Sequence, residues 1–228
     1  EQGGVLNVTT PANSAAITTN ADGVRVTNNG TITTVGGGRV GIFGSGGGAS
    51  NVQFVNNGTI RTDANNGYGM GSLGERSTII NNGTVTTSGT TAYAIYSNGA
   101  NSTLVNNGTI TTSGNSSYGL YSVQGNSTLV NSGTITTSGD DAYGMDSAGD
   151  SSTLSNSGTI TTSGVGSRGM YADGNGVTAV NSGTITTSGS DGEGMRSDGN
   201  NSTLVNSGAI TSTNADGIRS VGSGSILT

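Results

Sequence analysis

One nonapeptide, Asn131-Ser132-Gly133-Thr134-Ile135-Thr136-Thr137-Ser138-Gly139, recurs in near-copy along almost the whole chain. Its glycine falls at Gly30, Gly58, Gly83, Gly108, Gly133, Gly158, Gly183 and Gly208; after a first step of 28 residues every step is 25. A period of this length signals a solenoid, propeller or array. A unit this short cannot bury a core alone, so neighbouring units must stack.

The regular unit runs from Asn126 to Asp150. It contains three strand-like segments, Ser127 to Val130, Thr134 to Thr137 and Ala142 to Ser147, each bounded by Gly, Asn, Ser or Asp. Those residues tolerate turn geometry, and no stretch has helical periodicity with caps. The fold class is therefore all-β: a parallel β-helix of about eight coils with three short strands per coil. Three apolar phases point inward. The first holds Ile32, Ile60, Val85, Ile110, Ile135, Ile160, Ile185 and Ile210; the second, Met70, Ile95, Leu120, Met145, Met170 and Met195. The third holds Ile79, Leu104, Leu129, Leu154, Ala179 and Leu204. Stacked about 4.8 Å apart they become continuous ladders, each buried large side chain stabilising by roughly 1.5–3 kcal/mol.

The ends depart from this pattern. Residues 1–16 read as an N-terminal cap with a strand at Val5-Leu6-Asn7-Val8, residues 17–220 as the array, and 221–228 as a C-terminal end or linker. Ile17-Thr18-Thr19-Asn20-Ala21-Asp22-Gly23 resembles Ile210 to Gly217, which predicts equivalent terminal coils. Val35 to Arg39 and Gly46-Gly47-Gly48 are glycine-rich and predict loops in the one long step.

Composition narrows the function. Only 29% of residues are apolar and 43 are glycine, which alone would suit disorder, but the net charge is only -6 and the apolar phase is fixed. All seven basic residues are Arg, and no basic stripe exists for nucleic acid or an anionic membrane surface. There is no Cys, so neither a disulfide framework nor a thiolate metal site is available. No apolar run is long enough for direct membrane insertion by this segment. The opening Glu1-Gln2-Gly3-Gly4 reads as a mature or trimmed N-terminus.

Several polar phases are candidates for function. Asn28, Asn56, Asn81, Asn106, Asn131, Asn156, Asn181 and Asn206 never vary, and predict a structural amide ladder at a turn. Thr84, Thr86, Thr109, Thr111, Thr134, Thr136, Thr159, Thr161, Thr184 and Thr186 flank the inward Ile or Val and therefore face out, as a candidate binding face. Arg61 and Ala209 interrupt that array. Tyr68, Tyr93, Tyr118 and Tyr143 share a phase later held by Arg168 and Glu193, which predicts a partly wet corner. Asp173 and Asp198 stack like charges in consecutive coils; splaying of the turn side chains into water relieves this, so no cofactor is expected, and a calcium ion held with neighbouring carbonyls is the alternative. His and Lys are absent, and Asp140, Asp141, Asp146 and Asp150 lie in or beside turns without an evident apolar pocket to raise a pKa. These features predict no enzyme.

The block from Asn126 to Thr137 followed by Ala142-Tyr143-Gly144-Met145 resembles the passenger repeats of bacterial autotransporters. The likeness covers roughly residues 17–220 and implies a right-handed β-helix displayed on, or released from, a Gram-negative outer membrane. It also implies adhesion, self-association, aggregation or biofilm formation, with a host or bacterial surface ligand or a second copy as partner. An outer-membrane β-barrel linked in the full-length protein is expected from the same resemblance; no barrel strands occur in this sequence. The Thr-x-Thr phase resembles ice-binding β-solenoids, the first alternative. A polysaccharide-processing β-helix enzyme is the second.

Overall fold

The computed structural model describes residues 5–8, 15–36, 40–45 and 49–228, with only the backbone for 5–8. The glycine-rich segments at 37–39 and 46–48 lie outside the described residues. Three nine-stranded sheets run side by side along the chain, and each turn of the coil contributes one short strand to each. In the regular unit these are Thr134–Thr137, Met145–Ser147 and Thr153–Asn156, here called the Thr, Met and Asn strands. Neighbouring strands pair in parallel with residues 25 apart directly opposite, as in Ile110↔Ile135↔Ile160. The fold is an all-β parallel solenoid of about eight coils.

The three apolar phases occupy the interior. Ile135, Met145 and Leu154 are fully buried, as are their counterparts through most of the stack, and together they form one continuous core. The parallel backbone ladder sets the rung height, and two further devices hold the turns to it. The first is the Asn column: each side-chain amide donates to the carbonyl oxygen of the next at 2.7–2.8 Å, unbroken from Asn28 to Asn206. Through Asn131 it also satisfies the carbonyls of Gly133 and Thr159, so a buried amide becomes a clip between rungs. The second is glycine at the next turn. A Cβ on Gly133 would lie 2.1 Å from the Gly108 carbonyl oxygen, a distance no side chain tolerates. Corners elsewhere turn through residues at φ near +55°, among them Asn66, Thr91, Ser116 and Asp141 at one corner and Arg76, Asn101, Asn126 and Ser151 at another. Asn and Asp suit that region; Thr91 does so under strain.

Four expectations change. The Asn strand runs one residue later than predicted, Thr128–Asn131, because the amide clip needs Asn131 in the ladder. The third strand begins at Met145, not Ala142, although Gly144 N–H still donates to the Arg168 carbonyl. Ile17 and Ile210 are not equivalent. Val5–Val8 fills the Thr-strand position of the first coil, Leu6 opposite Ile32, so Ile17 falls in the next strand, opposite Ile42. Ile210 stays in the Thr-strand column, opposite Ile185. Stacking also continues past residue 220, since Ile226 and Leu227 pair with Thr203 and Leu204.

Gly133→Ala is expected to unstack the rungs around it and to lower the denaturant midpoint sharply. Gly217→Ala, whose Cβ would meet only Ile210 at 3.7 Å, should shift stability by no more than about 0.5 kcal/mol. Equal midpoints for the two variants in equilibrium unfolding would contradict the close-packed turn.

Candidate functional site

The Thr strands present two outward columns. Thr84, Thr109, Thr134, Thr159 and Thr184 pair in register, and so do Thr86, Thr111, Thr136, Thr161 and Thr186. The first column is largely exposed and the second half-buried. This gives five rungs of uncharged hydroxyl and methyl groups, ended by Arg61 beside Thr86 and by Ala209 beside Thr184. Next to Arg61 lies a cleft of about 240 Å³ lined by Thr33, Asp63, Thr86 and Ser88 among others. The threonine after each pair turns inward instead. Thr87, Thr137 and Thr187 are buried, and each hydroxyl donates to the carbonyl five residues on. At Thr34 and Thr62 the buried Oγ1 has no hydrogen-bond partner.

A second, exterior amide ladder runs beside the buried one. Asn57, Asn82 and Asn107 each donate to the Asn one rung back at 2.8–2.9 Å. Ser132 then donates its hydroxyl to Asn107 Oδ1 at 2.8 Å and ends the series. The change from Asn to Ser in this column is therefore where one ladder stops.

The Met-strand side carries a different surface. Outward from the strand, successive rungs show Phe43, Gly71, Tyr96, Tyr121, Asp146, Tyr171, Arg196 and Arg219 in one column. Beside it stand Tyr68, Tyr93, Tyr118, Tyr143, Arg168 and Glu193. Tyr68 and Tyr93 stack with centroids 5.4 Å apart, and Tyr118 and Tyr143 at 4.7 Å. The second column begins nearly parallel to the first, Tyr96 lying at 28° to Tyr93. On either side of Asp146 it turns: Tyr121 stands at 88° to Tyr118 and Tyr171 at 67° to Tyr143. Burial, with neighbouring phenols adding to it, pushes Tyr93 and Tyr96 up to about 12.

This surface corrects two expectations. The tyrosine phase is not a wet corner throughout: Tyr143 is 9% exposed and Glu193 only 2%. Burial of Glu193 is tolerated because Arg168 Nε and Arg196 Nη1 each donate to it at 3.0 Å, and Arg219 approaches at 3.7 Å. Arg168 also lies 5.0 Å from the Tyr143 ring centre and 4.6 Å from that of Tyr171, a cation held between aromatic faces. Asp146, read as a turn residue with ordinary acidity, is 4% exposed, and its Oδ1 accepts no hydrogen bond. Burial, then repulsion from Asp173, raises it well above the usual carboxylate range against the pull of Arg168.

Asp173 and Asp198 follow one another in consecutive rungs, and Arg196 meets the charge of Asp198 but not that of Asp173. Arg196 grips Asp198 at 2.7 and 3.0 Å, and the Tyr171 hydroxyl lies 2.7 Å from Asp198 and 3.1 Å from Asp173. Burial acts to raise Asp198, yet the hydrogen bonds from Arg196 and Tyr171 outweigh it and hold the carboxyl below its ordinary value. Among the described residues no group of three or more His, Cys, Asp or Glu is arranged to hold a metal ion.

The model of the BigA third pectate lyase-like domain matches residues 2–147 and, in a second placement, 88–227. The chain belongs to that family. Two overlapping placements suit a BigA-type domain whose rungs are near-copies. No curated protein and no solved structure matches the chain. In this pectate lyase-like domain the Thr face was visible in the sequence as a phase. The Tyr96, Tyr121, Asp146, Tyr171, Arg196 column was not, because the residue type changes from rung to rung. Its only signal was position: each follows the inward Met, Ile or Leu by one residue and so must face out.

Two substitutions test the ion and acid placement. Glu193→Gln removes the buried anion that two half-buried guanidinium groups share and should lower the unfolding free energy by about 3 kcal/mol. Asp146→Asn should have the opposite sign. The native state holds the Asp146 proton more tightly than the unfolded chain, so its contribution to stability falls as pH rises from about 4, the unfolded value. The gain from Asn should therefore be small at acid pH, grow with pH and level off once the raised native value is passed. A pH-independent difference in urea midpoints would refute it.

Proposed function

We propose that this pectate lyase-like domain is a non-enzymatic segment of an extracellular bacterial surface protein, acting in adhesion or self-association. The observation that supports this reading most is the Thr face. Five in-register rungs of paired threonines between Arg61 and Ala209 make a long, flat, uncharged surface. Such a surface can meet a host or bacterial ligand, or the same face of a second copy, through many small polar and methyl contacts at little desolvation cost. Display through an outer-membrane barrel elsewhere in the full-length protein, and a part in aggregation or biofilm formation, belong to the same proposal. The charged groups support a structural role over a catalytic one, because Glu193, Asp198, Arg168 and Arg196 satisfy one another.

The register of the Thr pairs favours one alternative, binding to ice, for which a regular two-column hydroxyl lattice is the requirement. Cells displaying the chain are expected to clump. Thr111→Arg with Thr136→Arg should abolish clumping by like-charge repulsion across the contact, while the purified variant keeps its β-rich circular dichroism. Clumping that is unchanged by the double variant would count against the Thr face. Thermal hysteresis by the wild type, lost in Thr111→Tyr with Thr136→Tyr, would instead establish the ice reading.

A further inference from the structure

The Met-strand side carries a buried acid whose Oδ1 accepts no hydrogen bond, one rung from a place where the neighbouring rings hold a cation. Asp146 takes the place of a ring in its column, between Tyr121 and Tyr171 of the adjoining rungs. Gly71 leaves a comparable gap, and there the rings of Phe43 and Tyr96 close on it to 3.3 and 3.4 Å from where a Cβ would be. The Asp146 gap is edged by the turned rings of Tyr121 and Tyr171, with Tyr118 and Tyr143 in the adjacent column. One rung further on, Arg168 already occupies the space between Tyr143 and Tyr171. Its Nε is committed to Glu193 and its Nη1 to the Tyr143 hydroxyl, so neither of these nitrogens donates to Asp146.

We infer that Asp146, framed by Tyr118, Tyr121, Tyr143 and Tyr171, is a binding site for an organic ammonium group. The ring faces attract a cation electrostatically, and the orphaned Oδ1 provides the anion. Entry requires the half-exposed Tyr121 ring to swing outward, a side-chain motion of the surface that leaves the ladder hydrogen bonds intact, while Tyr171 stays tied to Asp198 and Asp173. The groups facing Asp146 are the phenols of Tyr93, Tyr118, Tyr121 and Tyr143, the Asp173 carboxylate and the Arg168 guanidinium. The ammonium pairs with the carboxylate form, so a proton held by Asp146 leaves to solvent as the cation binds. This site is separate from the Thr face, and either can fail without the other.

Isothermal titration calorimetry on the whole chain tests it, with choline, ethanolamine and, as the uncharged isostere of choline, 3,3-dimethylbutanol. Choline, ethanolamine or both should bind, more tightly at pH 8 than at pH 5, with proton release seen as a heat that depends on the buffer. The better of the two tells a quaternary from a primary ammonium source. Asp146→Asn should weaken binding about tenfold or more, and the variant remains folded because it removes a buried unpaired acid. Tyr121→Ala should also weaken it. Absence of binding by both amines, equal binding of the neutral isostere, or an affinity unchanged in Asp146→Asn would each overturn the site.

Discussion

Parallel pairing at one strand spacing puts each residue directly over the residue 25 positions earlier, and most of the structure derives from that superposition. Whatever is repeated in the sequence becomes a column in space. Aliphatic columns fill the interior, amide columns stitch the turns, and glycine columns let one turn lie on the next. A residue must therefore suit its own kind above and below as well as its local backbone. That condition explains why Gly133 is fixed by the carbonyl of Gly108 more than by any conformational need of its own. It also explains how so few apolar residues suffice, since each is enclosed by its copies.

The same superposition makes like charges costly, and the outward Met-strand columns show how the chain deals with this. Identical ionic residues are not stacked at length. The first column passes from four tyrosines to Arg168 and then Glu193, and the second from tyrosines through Asp146 to Tyr171 and Arg196. Opposite charges thus meet on adjoining rungs, and where Asp198 follows Asp173 the Tyr171 hydroxyl lies against both. Glu193, almost wholly buried, is held by guanidinium groups from its own rung and the rung on each side. Asp146 is the exception, and its raised affinity for a proton is what a buried carboxyl without a partner must show.

The fold was legible because its signal is redundant: Ile110, Ile135 and Ile160 say the same thing three times, and the structure stacks them in order. The ends were misread where redundancy is lost. Ile17 and Ile210 share neighbours in sequence but not in the coil, because Val5–Val8 takes the first Thr-strand position and moves Ile17 into the next sheet. The setting of Asp146 was invisible for a related reason. Its burial depends on the ring orientations of residues 25 and 28 positions away, and nothing in its own rung except Tyr143 points to them. The inward turn of Thr137 was likewise hidden, since its hydroxyl is satisfied only by the carbonyl five residues on.

The buried Asn column has a direction. Every amide from Asn28 to Asn181 donates toward the higher-numbered rung, and every one from Asn56 to Asn206 accepts from the lower, so the side-chain dipoles all point the same way along the rod. A chain of aligned, mutually polarising hydrogen bonds strengthens as it lengthens. The two ends of the stack are thereby chemically unlike: the Asn206 end keeps an amide N–H₂ without a following asparagine among these residues, while at the opposite end Asn28 turns its oxygen to the Gly30 N–H. A rung laid on one end meets a donor and on the other an acceptor, which gives the solenoid a vectorial character that its near-identical repeats would otherwise conceal.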